Sequence, residues 1–529
     1  MHEYTPFQTG ICAMLSIPVI DKRFGNVVKM ILMAIFLFCF PLSPAPAQDK
    51  PGTEWCAGFL NDLEHTVDAY GVRDTGSSPV PGQPLTRTTR FLEEMKYFIT
   101  DQAEGEQWLN LLDQEGSLAV NKEIENLPDA ALAPWLHGLK SGPGIGEPSS
   151  QDLRESLKAD AHECAQALLS HAKKNVGWST LALNSEEIPS EYRRARKVLG
   201  LYPLFTIPIG LGIANYKAKV SRQYAVPIED LEPRGTLTLF SPGISQMPDL
   251  NGNTVEGLLL KASQNPLGIP LLSDQELKWI AERYAPVLEQ DVTGDYDLPG
   301  IVVWQGPHMA VDTERPAVYY YATHAILRGS PLLQLNYVIW YKQRPRTGLL
   351  DIESGRIHGM TLRITLLPSG EPAMVDVIHN CGCYHFFFPS EKIFRGPKTE
   401  LFREDAFVPQ WLPPYEPGSR LSVRIGTRRH WVERIHYTGF SAGTPITYTL
   451  LPYDVLESLP RDSGRNESIF SPEGIVKGET ERPERFLFFP AGIPDIGSMR
   501  QRGHHGTALI GERTFDDPRL FEEFFFLRK

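Results

Sequence analysis

The chain has 529 residues and a formal net charge of −12, with 64 Asp and Glu against 52 Lys and Arg. That balance excludes a dedicated nucleic-acid binder, which needs a basic face, so no nucleic-acid partner is expected. An apolar share of 42% is ordinary for a globular chain of two or three domains, and 44 prolines favour a loop-rich, β-containing body over a helical bundle.

Lys22, Arg23 and Lys29 precede the apolar run Met30–Phe40, and Ala45-Pro46-Ala47 follows. This is the order of a secretory signal, with cleavage expected after Ala47. The run is shorter than the roughly 20 residues of a spanning helix. Residues 1–47 are read as a signal peptide, and the protein is expected in the periplasm or otherwise exported. A retained anchor, or a start at Met14 or Met30, is the alternative. Without the leader four cysteines remain, Cys56, Cys164, Cys381 and Cys383, and an exported compartment permits disulfides. Four cysteines allow three pairings; Cys56–Cys164 is the favoured one, with Cys381 and Cys383 a local unit.

Residues 48–72 read as an amphipathic helix with Cys56, Leu60, Leu63 and Val67 on one stripe. Further helices are expected over 90–101, 106–112 and 151–174, the last carrying Cys164 on its apolar face. Arg193, Arg194, Arg196 and Lys197 precede the apolar stretch 198–214, which contains Pro203 and Pro208. One reading is peripheral contact with the membrane surface, basic residues meeting anionic headgroups. The favoured reading is a buried linker, since apolar runs of this length usually belong to a core.

From about 233 the texture turns to strands. Gly235–Phe240 reads as a strand, and Ser273 with Glu276 as a capping box opening a helix to about 289. Asp291–Asp297 is acidic but departs from the EF-hand pattern, and is read as an exposed turn. Strands follow over 301–304, 317–324, 333–341, 361–366, 374–379 and 422–426, with Ser369-Gly370 as a hairpin turn. The expected fold is α+β. A helical region (48–222) precedes a larger β-rich domain (223–529), an antiparallel sandwich or irregular barrel.

His379-Asn380-Cys381-Gly382-Cys383-Tyr384-His385 is the densest chemistry in the chain. Its four thiol and imidazole groups alternate, so a straight strand would spread them along one face over roughly 20 Å, too far for one ion. A break at Gly382 would bring them closer. Thiolate and imidazole suit zinc or copper, although C-x-C is tighter than structural zinc spacing. A C-x-C disulfide, a nucleophilic cysteine activated by His379 or His385, and a buried structural strand are the other readings. The same run, through Phe386-Phe387-Phe388-Pro389, resembles the H-x-C-G-C-Y-H-x-F-F-P signature of a group of uncharacterised exported bacterial proteins. Leu335–Tyr341 continuing to Asp351, Gly503–Ala508 and Phe515–Pro518 are similar to that group too. The resemblance implies one shared domain and no activity.

The expected site is a zinc or copper centre on His379, Cys381, Cys383 and His385, completed by His504 or His505. His324 is a further contributor. Such a centre would serve a metal-dependent hydrolase or a redox protein. A non-catalytic envelope scaffold with a structural C-G-C disulfide is the alternative. Arg344, Arg363, Arg424 and neighbouring arginines could meet an anion, but are read as scattered surface charge. No phosphate-binding loop or H-E-x-x-H helix is present.

Overall fold

A computed structural model describes residues 52–529 apart from 82, 84, 139–148, 176, 180–187, 244–253, 350, 417, 439–444 and 479. The expected leader, 1–47, lies outside the described residues. Three long helices dominate the N-terminal region: α1 (Thr53–Ala69), α2 (Gln102–Asn126) and α3 (Ser150–Asn175). Cys56, Leu60, Leu63 and Val67 are buried as their spacing requires. Cys56 and Cys164 form the expected disulfide, Cα atoms 5.0 Å apart, fastening α1 to α3. Helix α2 is far longer than the expected 106–112. Its start is set by a capping box between Asp101 and Glu104. Its glycines hide it in the sequence: a Cβ on Gly116 would lie 1.5 Å from the Leu85 carbonyl, where another segment crosses the helix.

Helix α4 (Tyr202–Tyr224) runs through the expected boundary at 222. The favoured reading of 198–214 as a buried linker is overturned, because Val220 is the one fully buried residue of α4. Helix α5 (Asp274–Tyr284) begins at the Ser273–Glu276 capping box and ends before 289. Pro286 follows, and the chain enters a strand at Val287.

The β-rich part is a curled ten-stranded sheet, a half-barrel. In chain order its strands are β1 (Thr236–Pro242), β2 (Val287–Val292), β3 (Ala317–Leu327), β4 (Ser330–Arg344) and β5 (Gly355–Leu366). Then come β6 (Pro372–His379), β7 (Phe386–Pro389), β8 (Arg420–Ile425), β9 (Val432–Thr438) and β10 (Ile446–Pro452). The spatial order is β7-β6-β5-β4-β3-β10-β1-β2-β8-β9. The run from β3 to β7 is antiparallel, but β10 is parallel to both β3 and β1, and β8 to β2. The sheet is therefore mixed.

Strands β4, β5 and β6 are buried on both faces, so polar and apolar residues do not alternate cleanly along them. One face holds Tyr337, Ile339, Met360, Leu362 and Val377 against α5 and α4; the other holds Val338 and Trp340 against the C-terminal loops. The acidic stretch 291–297 is not an exposed turn. Asp297 is fully buried and accepts hydrogen bonds from Thr293, Thr427 and the Arg428 amide.

Candidate functional site

The H-N-C-G-C-Y-H run is the turn between β6 and β7. Gly382 sits at φ +90°, and a Cβ there would lie 2.4 Å from the Gly506 carbonyl. The amide of His379 donates to the Cys383 carbonyl at 2.9 Å, and that of Gly382 to the His379 carbonyl at 2.7 Å. Asn380 anchors the turn: its amide donates to Gly359, and its carbonyl accepts from the Arg500 amide at 2.8 Å.

This turn sends the two histidines apart. His379 packs edge-on against His358 with ring centroids 4.6 Å apart. The Nδ1 atoms of His358 and His430 lie 3.0 Å apart, and His430 Nε2 is 3.2 Å from Asp297 Oδ1. Tyr341 stacks on His430 at 3.9 Å. Burial, with the charge of His430, lowers the pKa of His379 to about 3, which keeps it neutral. His385 belongs to another network. Its Nε2 meets Asp376 Oδ2 at 2.9 Å, and Arg363 grips the same carboxylate through two bonds of 3.0 and 2.6 Å. Asp376 and His379 are three residues apart on β6, hence on opposite faces of the sheet. Burial outweighs Asp376 and lowers the pKa of His385 to about 3.

His504 and His505 also diverge. His504 Nε2 donates to the Thr75 carbonyl at 2.8 Å, and Nδ1 faces Glu191 at 3.3 Å. Burial opposes its charge, yet Glu191 holds its pKa above the ordinary histidine value. His505 is buried 3.8 Å from Asp516, and both its ring nitrogens lack hydrogen-bond partners. His324 is buried and bonded to the Pro270 carbonyl at 3.1 Å. The six expected ligands thus do not converge on one ion. Among the described residues, no group of three or more His, Cys, Asp and Glu side chains is arranged to hold a metal.

Cys381 and Cys383 do stay together. Both are free thiols; Cys381 is buried and Cys383 half-buried. The Cys383 thiol and amide hydrogen-bond to the Cys381 sulfur and hold its pKa below the ordinary thiol value, against burial; Cys383 moves the other way. Buried charges surround the pair. Arg344 binds Asp351 and Glu353 at 2.7 and 2.9 Å, and Glu353 accepts from Tyr384 at 2.7 Å. Burial and the negative charge of Cys381 push the pKa of Glu484 up to about 9. Arg344, Arg363 and Arg424 are buried. The expectation of scattered surface arginine is corrected, because each has an internal acceptor.

A cleft of about 1000 Å³ separates the helical region from the sheet. Its walls are the loop 73–79 and helix α2 on one side, and Tyr320–His324 with Arg500–His504 on the other. Along one edge Lys122 reaches Glu457 at 2.5 Å, and Arg502 holds Glu457 and Asp454 at 2.6 and 2.5 Å. Glu115 projects from α2 into the cleft and makes no hydrogen bond among the described residues. Burial raises its pKa despite the charges of Arg502 and Lys122. Asp516 lines the cleft as well, with its Oδ2 unpartnered.

Compared with protein-family models, with curated proteins and with solved structures, the chain matches none of them. Sequence reasoning missed Glu115, His358, Asp297 and Glu484. Glu115 lay in a helix whose extent was underestimated; His358 lies on a strand, Asp297 in a turn and Glu484 at the start of a short helix, and only the tertiary fold gives them their partners.

Proposed function

We propose that the protein works in the cell envelope and binds a small polar ligand in the cleft between the helical region and the sheet, with Glu115 as its acid–base group. The observation that carries this is a desolvated carboxyl with raised pKa and no hydrogen-bond partner among the described residues, set in a cleft of about 1000 Å³. Such a group favours a ligand presenting an N–H or O–H donor. Cations on the cleft edge, Lys122 and Arg502, are already paired, so carboxyls meet the ligand, Glu115 first, with the unpartnered Oδ2 of Asp516 on the same cleft. The test is a thermal-shift screen of the full chain against amines, amino acids and sugars. A ligand whose affinity falls about tenfold in Glu115→Gln, the loss of one charged hydrogen bond, supports the reading. Ligands indifferent to that change overturn it.

A second reading rests on the contact between the Cys381 and Cys383 sulfurs. In thiol–disulfide exchange, the Cys381 thiolate attacks a partner's disulfide and releases one partner thiol. Cys383 then displaces the second, leaving Cys381–Cys383 oxidised and the partner reduced by two electrons. The alternative use of the pair is as two thiolate ligands for zinc or copper. Elemental analysis with thiol counting separates them. Bound metal lost in a Cys381→Ser, Cys383→Ser double variant indicates a soft-metal site. A metal-free chain whose pair oxidises and reduces reversibly indicates exchange. Two inert thiols reject both.

A further inference from the structure

Residues 193–222 contain seven Lys and Arg and no Asp or Glu, inside a chain of net charge −12. They form a short helix, Arg194–Leu199, and then α4, joined at Leu201, whose φ is +49°. At 3.6 residues per turn, Leu204, Ile207, Pro208 and Leu211 fall on one side of α4, and Tyr216, Val220 and Tyr224 on the other. The inner side is well held. Tyr216 packs against Tyr384 and Trp431, and the Tyr224 hydroxyl donates to the Val432 carbonyl at 2.7 Å. The outer side has no cover: Leu204 is 66%, Ile207 65% and Leu211 71% exposed. Leu199 continues the surface at 76%.

The patch extends onto neighbouring loops. Gly200 packs on Pro490, and Gly511, bonded to the Tyr202 hydroxyl, packs beside exposed Phe402. Past Leu211 the outer stripe turns polar, through Asn215, Lys219 and Arg222. Exposed Arg194 stands at the opposite end. The apolar surface is therefore bounded by cations at both ends. No described helix is long and apolar enough to cross a membrane.

We propose that Arg194–Leu199 and the N-terminal half of α4 form an interfacial arm that lies in the surface of an anionic bilayer. The exposed leucines and Ile207 enter the acyl boundary, while Arg194, Lys219 and Arg222 meet headgroup phosphates. Charge complementarity selects the bilayer over a second copy of the chain, whose arm would bring the same cations face to face. The inference does not depend on what the cleft or the cysteine pair does.

The test is vesicle flotation of the purified full chain, with phosphatidylcholine alone and with phosphatidylcholine containing phosphatidylglycerol. The chain is expected to float with the anionic vesicles and stay behind with the neutral ones. Leu204→Glu with Ile207→Glu, and separately Arg194→Glu with Lys219→Glu, should each cut the bound fraction about tenfold. All four positions are exposed, so an unchanged thermal melt shows that the variants are folded. No flotation, or equal flotation with both vesicle types, overturns the proposal. So does a concentration-dependent dimer in light scattering that Leu204→Glu with Ile207→Glu dissolves, in a chain that ignores vesicles.

Discussion

Gly382 answers two demands at once: a left-handed backbone and a neighbour's carbonyl where a Cβ would be. Gly382→Ala is expected to cost at least about 2 kcal/mol, read as a lowered urea midpoint. Asp376 joins two buried partners, Arg363 and His385. Asp376→Ala leaves a buried guanidinium unpaired and should cost about 3–5 kcal/mol, whereas a surface change such as Glu314→Ala should stay within about 0.5 kcal/mol. The buried imidazoles set the acid response. Burial lowers the pKa of His379 and His385 to about 3 and of His324 to about 4, from 6.5. These depressed values mean that the unfolded chain binds protons first as pH falls. Stability is therefore full above pH 6.5 and lost below it, each histidine adding up to about 1.4 kcal/mol per pH unit. Urea midpoints at pH 7.5 and pH 5 should differ in that direction; equal midpoints would contradict neutral buried histidines.

Among the elements, α1 and α3 depend on a covalent link as well as on packing. The Cys56–Cys164 bridge spans a sequence separation of 108. Replacing both cysteines by serine should cost about 2–5 kcal/mol, with faster amide exchange in α1 and α3 than in the sheet. Helix α2 shows how one cap sets an element's start: Asp101→Ala removes the bond to the Glu104 amide, at a cost of about 1 kcal/mol. In the sheet, β6 carries both Asp376 and His379, and its two-residue period forbids them a common site. The Ser273–Glu276 capping box and most strands were legible in the sequence, because each depends on neighbours in the chain or on a period; the Asp101–Glu104 box was not read. The length of α2 was not, since Gly105 and Gly116 are there to admit Trp178 and Leu85.

For the whole molecule, the cleft persists because its edge is pinned by ions. Glu457 is buried and bonds Lys122 of α2 and Arg502 of the C-terminal loops, while Asn126 donates to its carbonyl at 2.8 Å. Glu457→Ala removes the buried acceptor that Lys122 and Arg502 share, leaving both to the more exposed Asp454, and should destabilise by about 1–3 kcal/mol. The loss should appear in exchange of the helical region and in any ligand affinity of the cleft. A loss confined to the sheet would show that this network does not join the two parts.

By itself the sequence determined the α+β order, the capped helix start at Ser273 and the hairpin at Ser369-Gly370, and it favoured Cys56–Cys164 among three pairings. All of these rest on local period, backbone chemistry or a count of cysteines. Only the tertiary structure decided where the histidines go. A hairpin turn places His379 and His385 on opposite faces, and whichever partner lies there, Asp297 through His430 or Asp376 directly, comes from strand register. The fate of 198–214 was decided in the same way. An apolar helix is buried only where another element covers it, and the fold covers one side of α4 and leaves the other bare.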